Sequence, residues 1–477
     1  MKTDTDPYIH TKESKWTGEA LKNSENKVFW SDSPHAPEPN PALTSALTTD
    51  LVVVGGGFTG LWTALQAKEQ HPDREIALLD ARYTGFGGSS RNGGFCEATL
   101  VHGFSLGTRR WPREMKTLIR LGEENLRGLQ DTVKKYAIDA DIEATGVLEV
   151  ATAPWQVEGL KSSAALYQKY GEKVSFLNRE EVQREIRSPL YLAGLKVEND
   201  TLMLNPAKLV WGLQAACKQL GVRFFDNTRV RSVKEQANKL VLHTQNATVT
   251  AAKAIVGTNA WCDVVKKARW YIIPVYSYVL ATEPLSSAQM ASVGWKGRQG
   301  AFDAGNRFHY FRLTADNRIV WGGWLANHFK NNGMGEQYEQ LIEPYRLLSD
   351  HFFETFPQLE GTVKFSHSWA GPLGATSRFS AAFGKKYGGK MVWAGGYSGL
   401  GVAASRFGAR VALELSDHKD TEITRLKMVR KKPLPFPPNP IRYHLVVSTK
   451  EQFAKADANQ GKSGLWVRLL KYMGMKI

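Results

Sequence analysis

Cysteine is scarce in this sequence, and long apolar runs are missing altogether. The 477 residues include three cysteines, Cys96, Cys217 and Cys262, too few for a disulfide framework, which favours a reducing compartment. No apolar run reaches the roughly 18 residues that a membrane-spanning helix needs. Residues 1–26 also lack the apolar stretch of a signal peptide. We therefore expect a cytoplasmic protein.

Motifs for several common kinds of chemistry are also missing. No Cys/His cluster has the spacing of a metal site, and no G-x-S-x-G elbow of a serine hydrolase occurs. No nucleic-acid-binding module is recognisable. Hydrophobic residues make up 42% of the chain and charged residues 23%, as in a folded globular protein. The length suits two or three domains, or one long α/β domain with insertions.

A glycine fingerprint stands between a predicted strand and a predicted helix. Residues 50–54 form an apolar, largely β-branched run, typical of a strand buried in a parallel sheet. Gly55, Gly57 and Gly60 follow in the pattern G-x-G-x-x-G, and Asp80 lies further along the chain. Such glycines allow a tight turn and close approach of the backbone to a pyrophosphate, while the acidic residue accepts from a ribose hydroxyl. The sequence therefore predicts one dinucleotide site, without a second fingerprint for NADPH.

Three further segments combine glycine with small or polar residues. They are residues 85–94 (GFGGSSRNGG), 254–261 (AIVGTNAW) and 393–402 (WAGGYSGLGV). In the first segment, small side chains let backbone amides approach a large ligand, and Arg91 can neutralise charge. In the last, a helix predicted to begin at Gly399–Val402 would direct its positive dipole end at an electron-rich group.

Together these motifs resemble the FAD-dependent oxidoreductases of the D-amino-acid oxidase superfamily, especially the branch of gamma-glutamylputrescine oxidoreductase and of glycine and sarcosine oxidases. The likeness extends over about residues 50–415. It implies an α/β fold, in which a discontinuous Rossmann-like FAD-binding domain carries a mixed or antiparallel β-sheet substrate domain. It also implies non-covalent FAD, because no cysteine follows Cys262 where related enzymes link their flavin. The residues that the resemblance assigns to FAD are Gly55, Gly57, Phe58, Thr59, Gly60, Asp80, Ala81, Arg82, Gly88, Ser89, Arg91, Asn92, Gly93, Val230, Thr258, Trp261, Gly396, Tyr397, Gly399, Leu400 and Gly401.

The same resemblance implies the reaction. A primary or secondary amine would transfer a hydride to flavin N5, and the resulting imine would be hydrolysed to an aldehyde or keto product. Two departures bear on the substrate and the acceptor. Ala403 stands where sarcosine-type enzymes carry a carboxylate-binding lysine, and residues 319–323 lack their oxygen-activating lysine. The amine therefore stays unnamed, and the electron acceptor is O2 or another molecule.

The predicted catalytic residues lie on strand-like segments and on the last glycine loop. Segments 272–282, 307–313 and 318–323 are expected to form a separate antiparallel sheet. Aromatic and titratable side chains on such a sheet can form a wall around an amine, although core packing is the preferred explanation for any single one of them. The predicted catalytic residues are Tyr276, His309, Arg312 and Tyr397, with Tyr278, Tyr310, Phe311, Trp324 and Trp369 as further members of this wall.

The domain organisation follows from the order of these motifs. We expect a polar N-terminal extension, a discontinuous FAD-binding domain, a substrate domain in two pieces and a basic, proline-rich tail with a terminal amphipathic helix. The corresponding ranges are 1–27 for the extension, 28–105, 200–268 and 365–420 for the FAD-binding domain, 106–199 and 269–364 for the substrate domain, and 421–477 for the tail.

Much of the net charge of +16 lies in that tail, which contains twelve Lys/Arg and three Asp/Glu. Apolar residues at 465, 466, 469, 470 and 473 share one helical face, which predicts docking on the enzyme body or peripheral contact with an anionic membrane. Three other functions stay open: an aromatic hydroxylase, a membrane-surface amine dehydrogenase that feeds a respiratory chain, and a non-enzymatic binding protein. The expected partner is a small-molecule amine and no nucleic acid.

Overall fold

A computed structural model describes residues 6–9, 11–198 and 201–472 of the chain. Within these residues, eighteen strands form three sheets. The strands are β1 (Leu47–Val54), β2 (Ile76–Leu79), β3 (Phe95–Glu97), β4 (Val147–Ala151), β5 (Val174–Leu177), β6 (Ala193–Val197), β7 (Thr201–Met203), β8 (Arg223–Phe225), β9 (Ser232–Gln236), β10 (Lys239–His243), β11 (Thr248–Val256), β12 (Ile273–Thr282), β13 (Gly300–Asp303), β14 (His309–Leu313), β15 (Ile319–Gly323), β16 (Phe365–Ala375), β17 (Ala382–Lys386) and β18 (Met391–Gly395).

The α-helices surround these sheets and form most of the C-terminal tail. They are α1 (Thr17–Leu21), α2 (Phe58–Gln70), α3 (Phe104–Arg110), α4 (Met115–Lys135), α5 (Pro154–Lys169), α6 (Arg179–Glu185), α7 (Pro206–Gln219), α8 (Ser287–Val293), α9 (Glu336–Glu339), α10 (Ile342–Thr355), α11 (Ala404–Ser416), α12 (Glu422–Arg425), α13 (Lys427–Arg430), α14 (Ile441–Ala458) and α15 (Leu465–Tyr472).

The first sheet has a parallel centre, with β1 between β2 and β11. Its strand order is β17, β18, β11, β1, β2, β8, and β10 and β9 extend it antiparallel from β11. Residues 51–54 and 76–79 are buried throughout, because helices and loops cover both faces of a parallel sheet, and this explains their uniformly apolar sequences. Helices α2 and α11 pack together on this sheet.

The second sheet is antiparallel except where β4 runs parallel to β13. Its strand order is β16, β12, β15, β14, β13, β4, β6, β5. One face packs on α10, where Phe352 of the helix and Phe356, which directly follows it, contact the ring of Trp321. Because side chains alternate along each strand, the opposite face is free to line a cavity between the two sheets.

This architecture confirms the predicted α/β fold, with mixed parallel and antiparallel sheets. The segments predicted to form a separate sheet are β12, β14 and β15. Two local predictions differ from the structure. Residues 365–375 form β16 and pair with β12, so we propose that they belong to the substrate domain and not to the FAD-binding domain. Helix α11 begins at Ala404 rather than at Gly399–Val402, because Gly399 with a φ of +101° does not adopt helical geometry.

The tail packs against the body of the protein. On α15, Val467 and Leu470 are buried, whereas Leu465 is 84% exposed and Leu469 is 48% exposed. The indole N–H of Trp466 donates to Thr449 Oγ1 of α14 at 3.2 Å. Position 473 of the predicted amphipathic face lies outside the described residues. Among the helices that the structure describes, none has the length and apolar character needed to cross a membrane.

Candidate active site

The glycine fingerprint forms the turn from β1 into α2. Gly55 has a φ of +106°, a conformation that side chains disfavour, and its N–H donates to the Leu79 carbonyl at 2.8 Å. A Cβ on Gly60 would lie 1.9 Å from the Gly55 carbonyl oxygen, so only glycine lets α2 approach β1 this closely. The turn brings the N-terminus of α2 to the end of β1, a suitable place for a phosphate.

Asp80 follows β2 and faces the same turn. Its Oδ2 accepts a hydrogen bond from Gly56 N at 2.7 Å, and its Oδ1 accepts one from Arg82 N at 2.8 Å. Burial raises the pKa of Asp80, and these two N–H donors lower it in part. Each carboxylate oxygen keeps a further lone pair, so the side chain can also accept from a ribose hydroxyl.

The second glycine loop is held by its own polar side chains. Ser89 Oγ accepts from Phe58 N at 2.8 Å, which joins this loop to the N-terminus of α2. Asn92 Nδ2 donates to the carbonyls of Gly88 and Ser89 at 3.1 and 2.8 Å, and its Oδ1 accepts from Gly94 N at 2.8 Å. The loop therefore has a fixed shape before any ligand binds.

Arg91 connects this loop to the substrate side of the cavity. Its Nη1 lies 2.6 Å from Glu339 Oε2 and 2.8 Å from the Ala370 carbonyl, and its Nε donates to the Phe86 carbonyl at 3.0 Å. The side chains of Arg91 and Glu339 are 10% and 18% exposed. The guanidinium charge is thus balanced by Glu339, which leaves Arg91 less able to neutralise a ligand than the sequence predicts.

The last glycine loop lies against the first. The Tyr397 hydroxyl is 2.9 Å from Thr59 Oγ1 of α2, and burial raises the pKa of Tyr397 well above its ordinary range. Gly396 N donates to Asn259 Oδ1 at 2.8 Å, which fixes the loop to the segment after β11. Three chain segments that are distant in sequence therefore meet around one space.

That space is a continuous cavity of about 1390 Å³. Every residue that the resemblance assigns to FAD lines it except Gly60 and Gly396, which lie behind the wall. Such a volume exceeds the roughly 300–1,000 Å³ of a pocket for one drug-sized molecule, so the cavity has room for a dinucleotide and a second ligand. The C-terminal helix α14 contributes to the wall on the substrate side.

The residues present fit FAD. A Cβ on Gly399 would meet nothing within 4 Å, and one on Gly88 would meet no atom closer than 3.9 Å, so the backbone of both loops borders open space. A Cβ on Gly57 would lie 2.9 Å from Ser89 Oγ, which leaves no room for a side chain beside the predicted pyrophosphate position. Backbone amides and Asp80 are the groups that hold a dinucleotide in folds of this type.

The second sheet forms the opposite wall through a row of residues across its strands. In the pairing registers Glu149 of β4 lies beside Phe302 of β13, which lies beside Tyr310 of β14. Tyr310 in turn lies beside Gly322 of β15, whose missing side chain makes room for the Tyr310 ring. Glu149, Phe302 and Tyr310 all line the cavity. This row combines aromatic rings with one carboxyl group.

The sequence prediction missed two residues of this row, Phe302 and Glu149, and of these only Glu149 carries a titratable group. Burial alone raises the pKa of its carboxyl from 4.5 to about 7. Among the described residues, no side chain forms a hydrogen bond or an ion pair with it. Glu149 is half-buried at the cavity wall, and a largely desolvated carboxyl without a partner is costly and often marks a functional site. Its one sequence signal is the acidic residue inside the apolar strand GVLEVA.

Two of the four predicted catalytic residues lie at the cavity wall. Tyr397 lines it, and so does Tyr276, whose hydroxyl accepts from Gly335 N at 2.9 Å. Burial raises the pKa of Tyr276 to about 12. Of the further aromatic residues, Tyr310 and Trp324 also line the cavity, whereas the wall does not include Tyr278, Phe311 or Trp369.

His309 and Arg312 lie in the core instead of at the wall. His309 Nδ1 lies 2.6 Å from Asp303 Oδ2, its Nε2 lies 3.0 Å from His351 Nδ1, and burial lowers its pKa well below the ordinary range. Arg312 donates to the carbonyls of Leu204 and Leu313 at 2.7 and 2.9 Å. Burial lowers the pKa of Arg312 to about 10. The structure therefore does not place these two residues at the cavity wall.

Comparison with known proteins places this site in context. Residues 50–415 match the DAO family model, which describes FAD dependent oxidoreductases. The chain is 29% identical to gamma-glutamylputrescine oxidoreductase of Escherichia coli over 399 residues, or 81% of this chain and 88% of that protein. It is 28% identical to the probable oxidoreductase OrdL of Haemophilus influenzae over 402 residues, or 81% and 87% of the two chains.

A solved structure shares the fold. The crystal structure of glycine oxidase from Geobacillus kaustophilus superposes with a TM-score of 0.63 at 16% sequence identity. The match covers 79% of this chain and 96% of that one. The likeness covers nearly all of the glycine oxidase, whereas the parts of this chain outside residues 50–415 lie beyond the family match.

Proposed function

Because the chain belongs to the DAO family of FAD dependent oxidoreductases, we propose that it oxidises a primary or secondary amine. The carbon beside nitrogen loses a hydride, and water hydrolyses the resulting imine to an aldehyde or keto product and a smaller amine or ammonia. One observation carries the proposal: a single cavity joins the dinucleotide-binding loops to a sheet wall that presents the unpaired carboxyl of Glu149. The name of the Escherichia coli relative supports an amine as substrate.

FAD held by the glycine loops would supply the hydride acceptor of this reaction. The protein has to position the amine and exclude water from it. Phe95, Phe302 and Tyr310 provide an aromatic surface, in which Phe95 and Tyr310 pack edge to face with ring centroids 6.0 Å apart. The Tyr310 hydroxyl lies 3.3 Å from Ser277 Oγ, and both residues line the cavity. Aromatic faces suit an amine, whether it arrives as a cation or neutral.

Glu149 is the group that we assign to the proton of the amine. An ammonium group has no lone pair to assist loss of a hydride, so the amine has to become neutral first. A carboxyl with a pKa of about 7 can pair with the ammonium as it enters and accept its proton near neutral pH. The carboxyl then returns the proton to water when the product leaves.

We propose that FAD is held without a covalent bond. In the described part of the chain no cysteine lines the cavity, and burial raises the pKa of all three thiols, to about 12 for Cys262. Thiols in that state are poor nucleophiles. Acid precipitation of the purified protein tests this: we expect the yellow colour in the supernatant, and a yellow pellet would contradict it.

Anaerobic mixing with amines tests the proposed reaction. Purified protein loaded with FAD is mixed with primary amines, N-methyl amino acids, acylated polyamines or aminophosphonates in the absence of NADPH. We expect at least one class to bleach the flavin absorbance. A flavin that stays oxidised with every amine and bleaches only with NADPH would contradict the proposal and favour an aromatic hydroxylase. Protein that takes up no FAD would favour a binding protein.

The matched variants are Glu149→Gln and Glu158→Gln. Glu158 lies on α5, where it forms a surface ion pair with Lys161 and is 76% exposed. Positioned proton transfer contributes typically 10²–10⁴-fold to a rate, so we expect Glu149→Gln to slow bleaching by about that factor. Glu158→Gln should bleach at the wild-type rate. Equal bleaching rates in both variants would show that Glu149 takes no part in the reaction. That result would leave the proposed amine oxidation itself intact.

Peripheral contact with a membrane is a second, separate proposal for the tail. The exposed side chains Leu465 and Leu469 on α15, together with the basic tail, support it. Co-sedimentation with vesicles of anionic lipid tests it, with protein truncated after Gly464 as control. Loss of sedimentation on truncation would support the contact, and equal sedimentation would contradict it.

A further inference from the structure

The C-terminal tail forms part of the cavity although it lies beyond the family match, which ends at residue 415. Its proline-rich segment is fixed to the body by two hydrogen bonds. Ser377 Oγ donates to the Leu434 carbonyl at 2.7 Å, and Phe436 N donates to the Trp270 carbonyl at 2.7 Å. The tail is therefore an integral part of the enzyme's structure.

Helix α14 presents one face to the cavity. The residues that line it follow the spacing of a helical face: Leu445, Val446, Thr449, Lys450 and Phe453. At its C-terminal end the helix is fixed by Asp457, which is fully buried and accepts from Asn306 N, Asn306 Nδ2 and Arg307 N at 3.1, 2.7 and 3.1 Å. This contact holds the helix on the loop between β13 and β14, next to the substrate wall.

The face carries one cation among apolar side chains. Lys450 Nζ donates to Asn327 Oδ1 at 2.6 Å, which uses one of its three N–H groups and leaves two for a ligand. Burial and the positive charge of Arg307 lower the pKa of Lys450, and Glu451 on the same helix acts in the opposite direction.

Arg307 adds a second positive charge at the same wall. Its guanidinium lies over the Trp324 ring at 4.2 Å, and its Nε lies 3.6 Å from Asp457 Oδ2. That carboxylate already accepts three hydrogen bonds from the loop, and within the described residues Arg307 Nε forms no hydrogen bond. The two cations repel each other, so a bound anion between or beside them would be stabilised.

We propose that Lys450, supplied by the C-terminal extension, determines specificity for an amine that carries an anionic group, a carboxylate or a phosphonate. This inference rests on the proposed amine oxidation. The ammonium group of Lys450 donates a charge-assisted hydrogen bond to the anionic group of the substrate. Leu445, Val446 and Phe453 contact the apolar part of the substrate. Lys450 of the tail would thus bind the anionic group, a role for which Ala403, directly after the last glycine loop, has no suitable side chain.

Paired substrates test this proposal. The anaerobic bleaching rate is measured against concentration for γ-aminobutyrate, for n-butylamine, which lacks the carboxylate, and for the matching aminopropylphosphonate. The variants are Lys450→Gln and Lys450→Arg, with Lys455→Gln as control on the exposed side of α14. Inhibition by butyrate, which has no amine, gives a binding constant that does not depend on turnover.

We expect Lys450→Gln to raise the half-saturating concentration of the anionic substrates, and the inhibition constant of butyrate, by about 10- to 100-fold, as for one lost charge-assisted hydrogen bond. Lys450→Arg should keep most of the preference, and n-butylamine should respond to neither variant. In the wild type, the half-saturating concentration of γ-aminobutyrate is compared with that of aminopropylphosphonate. The substrate with the lower value identifies the anion that the site prefers.

Two results would overturn the inference. Equal effects of Lys450→Gln on n-butylamine and γ-aminobutyrate would show that Lys450 acts only on the structure. No effect on any substrate or on butyrate would show that the anion binds elsewhere or not at all. Both results leave bleaching by amines intact, whereas wild-type protein that no amine bleaches would refute the proposed function itself.

Discussion

Replacing Glu149 by glutamine should stabilise the protein at alkaline pH while slowing amine oxidation. The carboxyl is half-buried at the cavity wall and has no partner among the described residues. Burial raises its pKa from 4.5 to about 7, so the folded protein disfavours the charged form. Residues that are kept for function at a cost in stability behave in this way, and a neutral replacement removes the cost.

The size and sign of the effect follow from this shift. Below a pH of about 4.5, folded and unfolded chains both hold the proton. Between about 4.5 and about 7 the unfolded chain releases it and the folded protein does not, so stability falls as pH rises, by about 1.4 kcal/mol per pH unit. Above about 7 the loss is complete, at no more than about 3.4 kcal/mol. Glutamine does not ionise, so the variant escapes this loss.

Urea denaturation of both proteins at the same excess of FAD measures the difference. We expect Glu149→Gln to exceed the wild type by up to about 3 kcal/mol at about pH 8, and by much less at about pH 5. Buried Asp6 and Asp303, whose pKa values rise to about 7 and about 8, affect both proteins alike. Glu158→Gln should show a difference that does not vary with pH. If the two stability curves run parallel from about pH 5 to 8, the account of Glu149 is wrong.

Three further substitutions test other parts of the structure. Gly57→Val places a side chain against Ser89 Oγ, 2.9 Å from the Cβ position, and should lower FAD content of the purified protein at least about tenfold, equivalent to 1.4 kcal/mol. Arg91→Met leaves the carboxylate of Glu339 without its partner at 2.6 Å and should lower the free energy of unfolding in urea by about 3 kcal/mol. Asp457→Asn weakens the hold on the loop before β14 and should speed proteolytic cleavage within the tail.

Matched controls separate these effects from general damage. Gly159→Ala, where a Cβ meets nothing within 4 Å, should keep its FAD, and equal FAD content of the two glycine variants would contradict the predicted role of Gly57. Arg127→Met breaks an exposed ion pair and should cost less than about 1 kcal/mol. A similarly small loss in the free energy of unfolding for Arg91→Met would contradict the view that Arg91 and Glu339 form a buried ion pair. Glu451→Gln should leave proteolysis unchanged, and an unchanged rate in Asp457→Asn would refute the anchoring role.

The cofactor side of the site could be predicted because its signals are local. The turn at Gly55 requires a positive φ, and the close packing of α2 on β1 leaves room only for glycine at position 60. The glycine spacing together with the flanking strand and helix therefore identifies both positions. Asp80 follows at the end of the next strand of the same βαβ unit. Each of these constraints acts within some thirty residues, which is the size of that unit.

The substrate side could not be predicted in the same way, because it depends on pairing between distant strands. The alternation of side chains along β14 places Tyr310 and Arg312 on the same face. Arg312 nevertheless does not line the cavity, because its guanidinium donates to the Leu204 carbonyl in the core. His309 faces the other side, where Asp303 binds it. Glu149 reaches the wall only through the register of β4 with β13. The position of Lys450 depends on how the tail packs, which no local pattern encodes.

The most direct test of the central claim is a single-turnover experiment without oxygen. Protein with bound FAD is mixed with an excess of a bleaching amine, and the carbonyl product is quantified after quenching. We expect one carbonyl product for each flavin bleached, with no need for NADPH, and slower bleaching when the carbon beside nitrogen carries deuterium. A flavin that stays oxidised, or that bleaches without forming a carbonyl product, would contradict it.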